Sequence, residues 1–432
     1  MGSRSGRLRE SVASTLRVGG GLVVVAVAVG FESSCASKFD GPYACITGFE
    51  SCATPNGCET NVTEDATNCG ACGAACPLGD VCIASACQAA ATVVVNGANV
   101  DAANLVANAE GVFWTTNGQM SGQMNGDLVA LSADGGAPQA VLAATSVVYA
   151  FAFDATDLYF SGQIEQSNGM GTTPVAGVWK QPLAGGTLTE IAPLTANGSA
   201  AAAPLLVGGG ALVWLDQSMG AQSEPLDHVS TAGGAVSVLA KLDDAQRLVA
   251  DSRNVYAAIP SNDACTLAAI PLTGGAPVPL AATAACTALA TDGAHVYWAT
   301  SVQAQQNDDD SAQTAACVLS VESVPVAGGA VTTLARFSTY EVPTSIATDG
   351  VNVYFATYQN VRKVAVGGGP VVSVAGSFGA PAVTPTSAQS GSAVVCGSQS
   401  GGNQSSTVTI AVGPSGVYVA DGFNGDLLRA TK

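Results

Sequence analysis

One pattern recurs through most of this chain and restricts its fold more than any other feature. Over residues 287–335 the sequence reads TALATDGAHVYWAT, then a polar insertion, then CVLSVESVPVAGGAVTTLA. Four short β-prone runs follow one another, with Asp292-Gly293 turning the first into the second and Gly328-Gly329 turning the third into the fourth. This is the grammar of a four-stranded antiparallel meander. A single meander cannot bury both of its faces, so the unit requires stacked copies of itself.

The copies are present. The second-strand signature returns at Phe113-Trp114, Tyr159-Phe160, Val213-Trp214, Tyr256-Ala257, Tyr297-Trp298, Tyr354-Phe355 and Tyr418-Val419. A diglycine marks the later turn at Gly135-Gly136, Gly185-Gly186, Gly233-Gly234, Gly274-Gly275, Gly328-Gly329 and within 367–369, one fewer than the aromatic pairs. The seventh unit is therefore one strand short, and the run Thr92-Val93-Val94-Val95 has the composition and position to supply it. Rings remove unpaired sheet edges by closing on themselves. The reading is an all-β chain: a seven-bladed β-propeller over 92–432, closed by N-terminal strand exchange and preceded by a small disulfide-rich module. With 51 glycines, 48% apolar residues and only 11% charged ones, the chain suits many short strands joined by glycine turns and is too apolar for disorder.

The runs Val296-Tyr297-Trp298-Ala299-Thr300 and Val112-Phe113-Trp114-Thr115-Thr116 resemble the repeats of YWTD, NHL and TolB-like propellers. Aromatics at these positions are read as packing between blades.

Insertions are not spread evenly. From aromatic pair to diglycine the distance ranges from 13 residues (354 to 367) to 31 (297 to 328), so the variable segment joins the second and third strands. A further Ser-, Gly- and Gln-rich stretch, 379–407, lies between the last two blades. In an up-and-down blade these two kinds of connection leave from the same side. The segments 161–177, 217–227, 301–316 and 379–407 are thus expected on one face. Four cysteines, Cys265, Cys286, Cys317 and Cys396, fall there too. Proximity favours Cys265 with Cys286 and Cys317 with Cys396, with three pairings open.

Upstream, Cys45, Cys52, Cys58, Cys69, Cys72, Cys76, Cys82 and Cys87 crowd into residues 45–87, where apolar content is too low for a side-chain core and disulfides must hold the module together. Cys69-x-x-Cys72 alone suggests half a zinc site or a redox dithiol, but a zinc knuckle needs a second ligand pair at suitable spacing and the module contains no histidine, so four disulfides are the better reading. Its centre, NCGACGAAC over 68–76, resembles the cysteine-rich motif of the plant stigma-specific secreted proteins, which is similar to modules beside propellers in bacterial surface lipoproteins. Residues 88–91 read as a short link.

The first 34 residues carry Arg4, Arg7, Arg9 and Arg17, then an apolar run over 18–31 that is short for a permanent span. They read as a signal peptide. Ser33, Ser34, Cys35 and Ala36 follow, and this resembles the lipobox of bacterial lipoproteins, with Glu32 where that motif carries an apolar residue. The resemblance implies lipidation of Cys35, an anchor linker over 35–44 and an outer-membrane or cell-surface location. It also accounts for the odd member of 13 cysteines. Ordinary cleavage near Ala36, giving a secreted or periplasmic soluble protein, is the alternative. The whole chain bears a net charge of −18, and about −20 without residues 1–34, which argues against a nucleic-acid partner.

Signals for chemistry are sparse. The two histidines, His228 and His295, fall in different units, the first opening a third strand and the second in a turn. No nucleophile elbow, phosphate-binding glycine loop or H-E-x-x-H pair occurs. Asp154, Asp251, Asp292 and Asp349 recur at the ends of first strands, around the tunnel of a propeller, where they suit either a calcium site or the turns themselves. Asp308-Asp309-Asp310 is either a solvated loop tip or a second metal candidate. No cofactor is expected, calcium being the one metal kept open. The leading reading is a monomeric, exported, lipid-anchored binding scaffold that presents its loop-rich face to a protein or glycan at the cell envelope. The alternatives are a propeller-type lyase or hydrolase with a metal near the central tunnel, and a purely structural envelope protein.

Overall fold

The computed structural model describes residues 49–52, 60–83, 85–98, 100–116, 126–142, 146–167, 171–194, 202–216, 224–243, 245, 247–261, 264–283, 286–303, 317–339, 342–358, 360–376, 378 and 408–432. The chain divides into two units, Met1–Ala44 and Cys45–Lys432. The signal peptide, Cys35, the 35–44 linker, Cys45, Cys58, Cys396, Asp308, Asp309, Asp310, the side chain of Cys317 and segment 379–407 lie outside the described residues. Among the described residues no helix is long and apolar enough to cross a membrane.

The second unit is a seven-bladed β-propeller. Six blades are consecutive four-stranded antiparallel meanders, the first built from Val100–Ala107, Gly111–Thr116, Leu128–Ser132 and Gln139–Ala140. In the seventh, Val408–Gly413, Gly416–Asp421 and Asp426–Ala430 are joined by Ala91–Val95 as fourth strand. That strand runs antiparallel to Asp426–Ala430, with Leu427 opposite Val95, Leu428 opposite Val93 and Ala430 opposite Ala91.

Pleating explains the paired aromatics. Neighbouring residues of a strand point to opposite faces of the sheet, so each pair serves two seams between blades. Tyr297 packs with Phe355 in the seam of blades five and six, whereas Trp298 packs with Tyr256 in that of blades four and five. Trp114 with Tyr418 fills the seam between the seventh and first blades. Seven such clusters hold the ring, and burying each large side chain contributes about 2 kcal/mol.

The diglycine turns follow from backbone sterics. In each turn the first glycine donates its N–H to the carbonyl three residues back, as Gly274 does to Pro271 at 2.9 Å, and both glycines have positive φ, 84° and 134° at Gly274 and Gly275. A side chain at either position would clash with its own backbone.

Three sequence expectations need correction. The blade-two segment 161–177 is not a loop at its base. The strands Asp157–Ser167 and Thr172–Pro182 stay paired out to Ser167 opposite Thr172, because alternation continues through Ile164 and Val175, which face each other. His228 does not open its strand but sits inside Glu224–Ser230, opposite Val213. Residues 88–91 are not a free link either. Gln88 and Ala89 belong to a hairpin with Asp80–Ile83, and Ala91 already begins the closing strand.

The cysteine-rich module therefore runs straight into the ring, and it also docks on it. Gly79 donates its N–H to the Gly376 carbonyl (3.1 Å) on the outer strand of blade six and accepts from Ala91 (2.9 Å). Leu78 packs into the seam of blades six and seven. Within the module, disulfides Cys69–Cys82 and Cys76–Cys87 pack against Ala66 as a small sulfur-rich core, and Cys52–Cys72 adds a third bridge.

Candidate functional site

A blade sheet has two ends. One carries the tight turns between first and second strands and the diglycine turns; the other carries the second-to-third connections and the links between blades. They are called here the turn face and the loop face.

On the turn face, Asp154, Asp251, Asp292 and Asp349 sit in four equivalent turns. In each, Oδ1 accepts backbone N–H bonds from the residues two and three positions on, as Asp292 does from Ala294 (2.8 Å) and His295 (2.7 Å). The other oxygen accepts the hydroxyl of the tyrosine five residues on. The distances are 2.8 Å for Tyr159, 2.7 Å for Tyr256, 2.8 Å for Tyr297 and 3.1 Å for Tyr354. Each carboxylate clamps its own blade, joining the turn to an aromatic that fills an inter-blade seam. The four are not brought together: among the described residues, the groups close enough to share a metal are the disulfide-bonded Cys69, Cys76 and Cys87, and Glu50 with the disulfide-bonded Cys52 and Cys72. This geometry gives the aspartates to turn chemistry rather than to a shared cation.

Electrostatics follow from the clamp. Burial alone would raise the carboxyls of Asp154, Asp292 and Asp349, but their backbone and tyrosine hydrogen bonds together hold them below the ordinary value of 3.8. Burial first, and the adjacent carboxylate second, push the Tyr256 hydroxyl up to about 12. Tyr354 also rises to about 12, and Tyr159 and Tyr297 rise further. His295 follows its clamp as the first residue of His295–Gln303, its ring 6.0 Å from that of Tyr297. His228 faces the fourth strand of blade three, its Nδ1 3.0 Å from the Ser237 carbonyl. The two histidines thus serve different blades, at different places in their sheets.

The loop face is built differently. The blade-two hairpin carries exposed Glu165, Gln166 and Ser167 toward its tip. The bond between Cys265 and Cys286, with Cα atoms 5.9 Å apart, ties the start of the third strand of blade four to the link into blade five. Arg247 opens the innermost strand of blade four and donates Nε–H to the Thr287 carbonyl of the next link (3.0 Å).

The sequence reading missed an acidic pair on this face. Asp216 ends the second strand of blade three and Asp227 lies on the third, opposite Trp214. Two-residue alternation places Asp216, Trp214 and Asp227 on one side of the sheet. Burial, then the charge of Asp216, push the Asp227 carboxyl up, and His228 partly offsets them. One oxygen of Asp216 is buried without a hydrogen-bond partner. The signal available was the repeated Leu-Asp, Leu215-Asp216 and Leu226-Asp227, flanking the insertion.

No protein-family model and no curated protein matches the chain. Solved structures similar to it are β-propeller proteins. They include a chain of the nidogen/laminin complex (15% identity, covering 61% of this chain and 89% of that one, TM-score 0.37). The Pan2 WD40 domain of Neurospora crassa matches at 10% identity over 79% of this chain and 98% of its own, with a TM-score of 0.45. TolB of Acinetobacter baumannii matches at 12% over 79% and 63%, with a TM-score of 0.36. At these values no ligand or reaction carries over.

Proposed function

We propose that the protein is an exported binding scaffold, anchored by lipid at Cys35, that engages a protein or glycan of the cell envelope through the loop face. The observation that supports this reading is the asymmetry of the two faces. On the turn face the clamp aspartates and tyrosines of four blades are consumed by their own turns, whereas the loop face carries the extended blade-two hairpin, the Cys265–Cys286 brace and the Asp216–Asp227 pair, with one Asp216 oxygen buried without a hydrogen-bond partner. Long connections on a rigid ring are where such folds place recognition.

Two experiments test the reading. Replacing Cys35 by Ser moves the protein from the membrane fraction to the soluble one; a wild type already soluble overturns the anchor. For the face, deletion of 163–176 leaves Gly162 and Gly177, now paired, as a two-residue turn closing Ser161 on Val178. A glycan array and an envelope-protein binding screen are run on wild type and this variant. Ligands retained by the wild type and lost by the variant support the assignment; equal capture by both, or by neither, overturns it.

A further inference from the structure

The seventh blade differs from the second at the turn face. In the second blade Tyr159 lies in register with Lys180, whose Nζ is 2.9 Å from Asp157 and 5.6 Å from the Tyr159 ring centre. Asp154 and Asp157 thus stand five and two residues before the tyrosine, Asp154 on its hydroxyl and Asp157 on the cation. The seventh blade keeps the register, with Tyr418 opposite Arg429, but Gly413 and Gly416 stand five and two residues before Tyr418. The cation is kept and both acids are gone. The Tyr418 hydroxyl instead meets Ser415 at 2.9 Å. Among the described residues Arg429 has no ion-pair partner, and it is exposed.

The fold leaves no room for an internal acid. A Cβ on Gly416 would lie 2.6 Å from the Ala430 carbonyl oxygen, and one on Gly413 3.0 Å from the Ala107 Cβ. Beside Arg429, between the seventh and first blades, a cleft of about 190 Å³ opens instead. Val94, Leu131 and Tyr418 supply its apolar lining, and Asp134 adds a carboxylate. Apolar cavities of about 150 Å³ accommodate a benzene ring, and sites for drug-sized ligands start near 300 Å³. The cleft therefore takes one side-chain-sized group.

We infer that this seam binds a monocarboxylate carrying a short apolar group. The ligand carboxylate stands on Arg429 where the second blade has its own aspartate, and the apolar group lies against Val94, Leu131 and Tyr418. Asp134 disfavours a second negative charge. The site lies on the opposite face from the proposed recognition loops and does not depend on them. Its ligand is either a free acid or the C-terminal residue of a peptide, which share this chemistry.

Titration calorimetry on the disulfide-intact chain tests it, using 4-methylpentanoate and the dipeptide Gly-Leu, each against its amide. At least one acid binds with a Kd of millimolar order or tighter, and its amide binds at least tenfold more weakly, about 1.4 kcal/mol. Binding of Gly-Leu assigns a peptide terminus; binding of 4-methylpentanoate alone assigns a free acid. Arg429→Gln, on an exposed side chain whose backbone pairing is untouched, loses the same tenfold at an unchanged melting temperature. Absence of binding by both acids up to about 20 mM, or amides equal to acids, overturns the site. The acid-to-amide comparison is made on the wild type, so it stands even where the variant is less stable.

Discussion

Tyr297 donates its hydroxyl to Oδ2 of Asp292, five residues earlier, while Oδ1 of the same carboxylate holds the two backbone N–H groups of the turn between them. One side chain thereby orients both the turn and an aromatic ring that is 1% exposed in the seam of blades five and six. Removing the two partners has unequal effects. Tyr297→Phe keeps the ring and the turn and costs about 1 kcal/mol, a single hydrogen bond. Asp292→Ala strands two N–H groups and the hydroxyl and costs more, about 2 kcal/mol. Urea midpoints of the two variants check the order, and equal losses would mean that the clamp does not hold the turn.

The same clamps set the pH range of the ring. Folded Asp154, Asp292 and Asp349 titrate below 3.8, so the stability they contribute is fully present above that value and is lost as pH falls through it toward their folded values. On the alkaline side the folded tyrosines titrate above 10.0, reaching about 12 at Tyr256 and Tyr354, so stability declines once pH rises past 10.0, where unfolded tyrosine ionises. Urea midpoints across pH trace a plateau with two falling limbs. The triple variant Asp154→Asn, Asp292→Asn, Asp349→Asn flattens the acid limb; an unchanged acid limb would assign it to other carboxylates.

Docking of the cysteine-rich module rests on one small residue. A Cβ on Gly376 would stand 3.1 Å from the Asp80 carbonyl oxygen, 3.3 Å from the Ala66 Cβ and 2.9 Å from Asn360 Oδ1. Two of these neighbours belong to the module, so Gly376→Ala pushes it away from blade six, at about 1–3 kcal/mol. Gly171→Ala is the control, since nothing lies within 4 Å of a Cβ there. Amide hydrogen exchange over 60–89 rises in the first variant and not in the second. Equal exchange in both would mean that the module is held only through its chain connection.

How much of this was legible in the sequence depends on distance along the chain. The blades were, because two-residue alternation and positive-φ glycines act within a few residues of each other, as at Tyr297-Trp298 and Gly328-Gly329. The Asp292–Tyr297 spacing was equally local and equally visible, but only the register shows that its hydroxyl bond consumes the carboxylate. The contact of Gly79 with Gly376 was not legible, since it joins positions that the ring alone brings together. The hairpin of 161–177 was misread because polarity at its tip hides ladder pairing at its base.

Ring closure gives the sharpest test of how the ends of the chain cooperate. Ala91–Val95 pairs with Asp426–Ala430, and Gly97 adds a hydrogen bond from its N–H to Asp426 Oδ1 at 2.8 Å. Val94 and Val95 pack into the seam of the seventh and first blades. Deleting 91–96 therefore bares the edge of Asp426–Ala430, opens that seam and disconnects segments more than 300 positions apart. Deleting six residues from 379–407 only shortens a connection, and loop length enters stability logarithmically, at about 0.6 kcal/mol per doubling. The first deletion is thus expected to lower the melting temperature far more than the second, in variants that both retain residues 97–378. Equal melting temperatures would show that the seven blades hold their ring without the N-terminal strand, and would leave Ala91–Val95 as an ornament on an already closed structure.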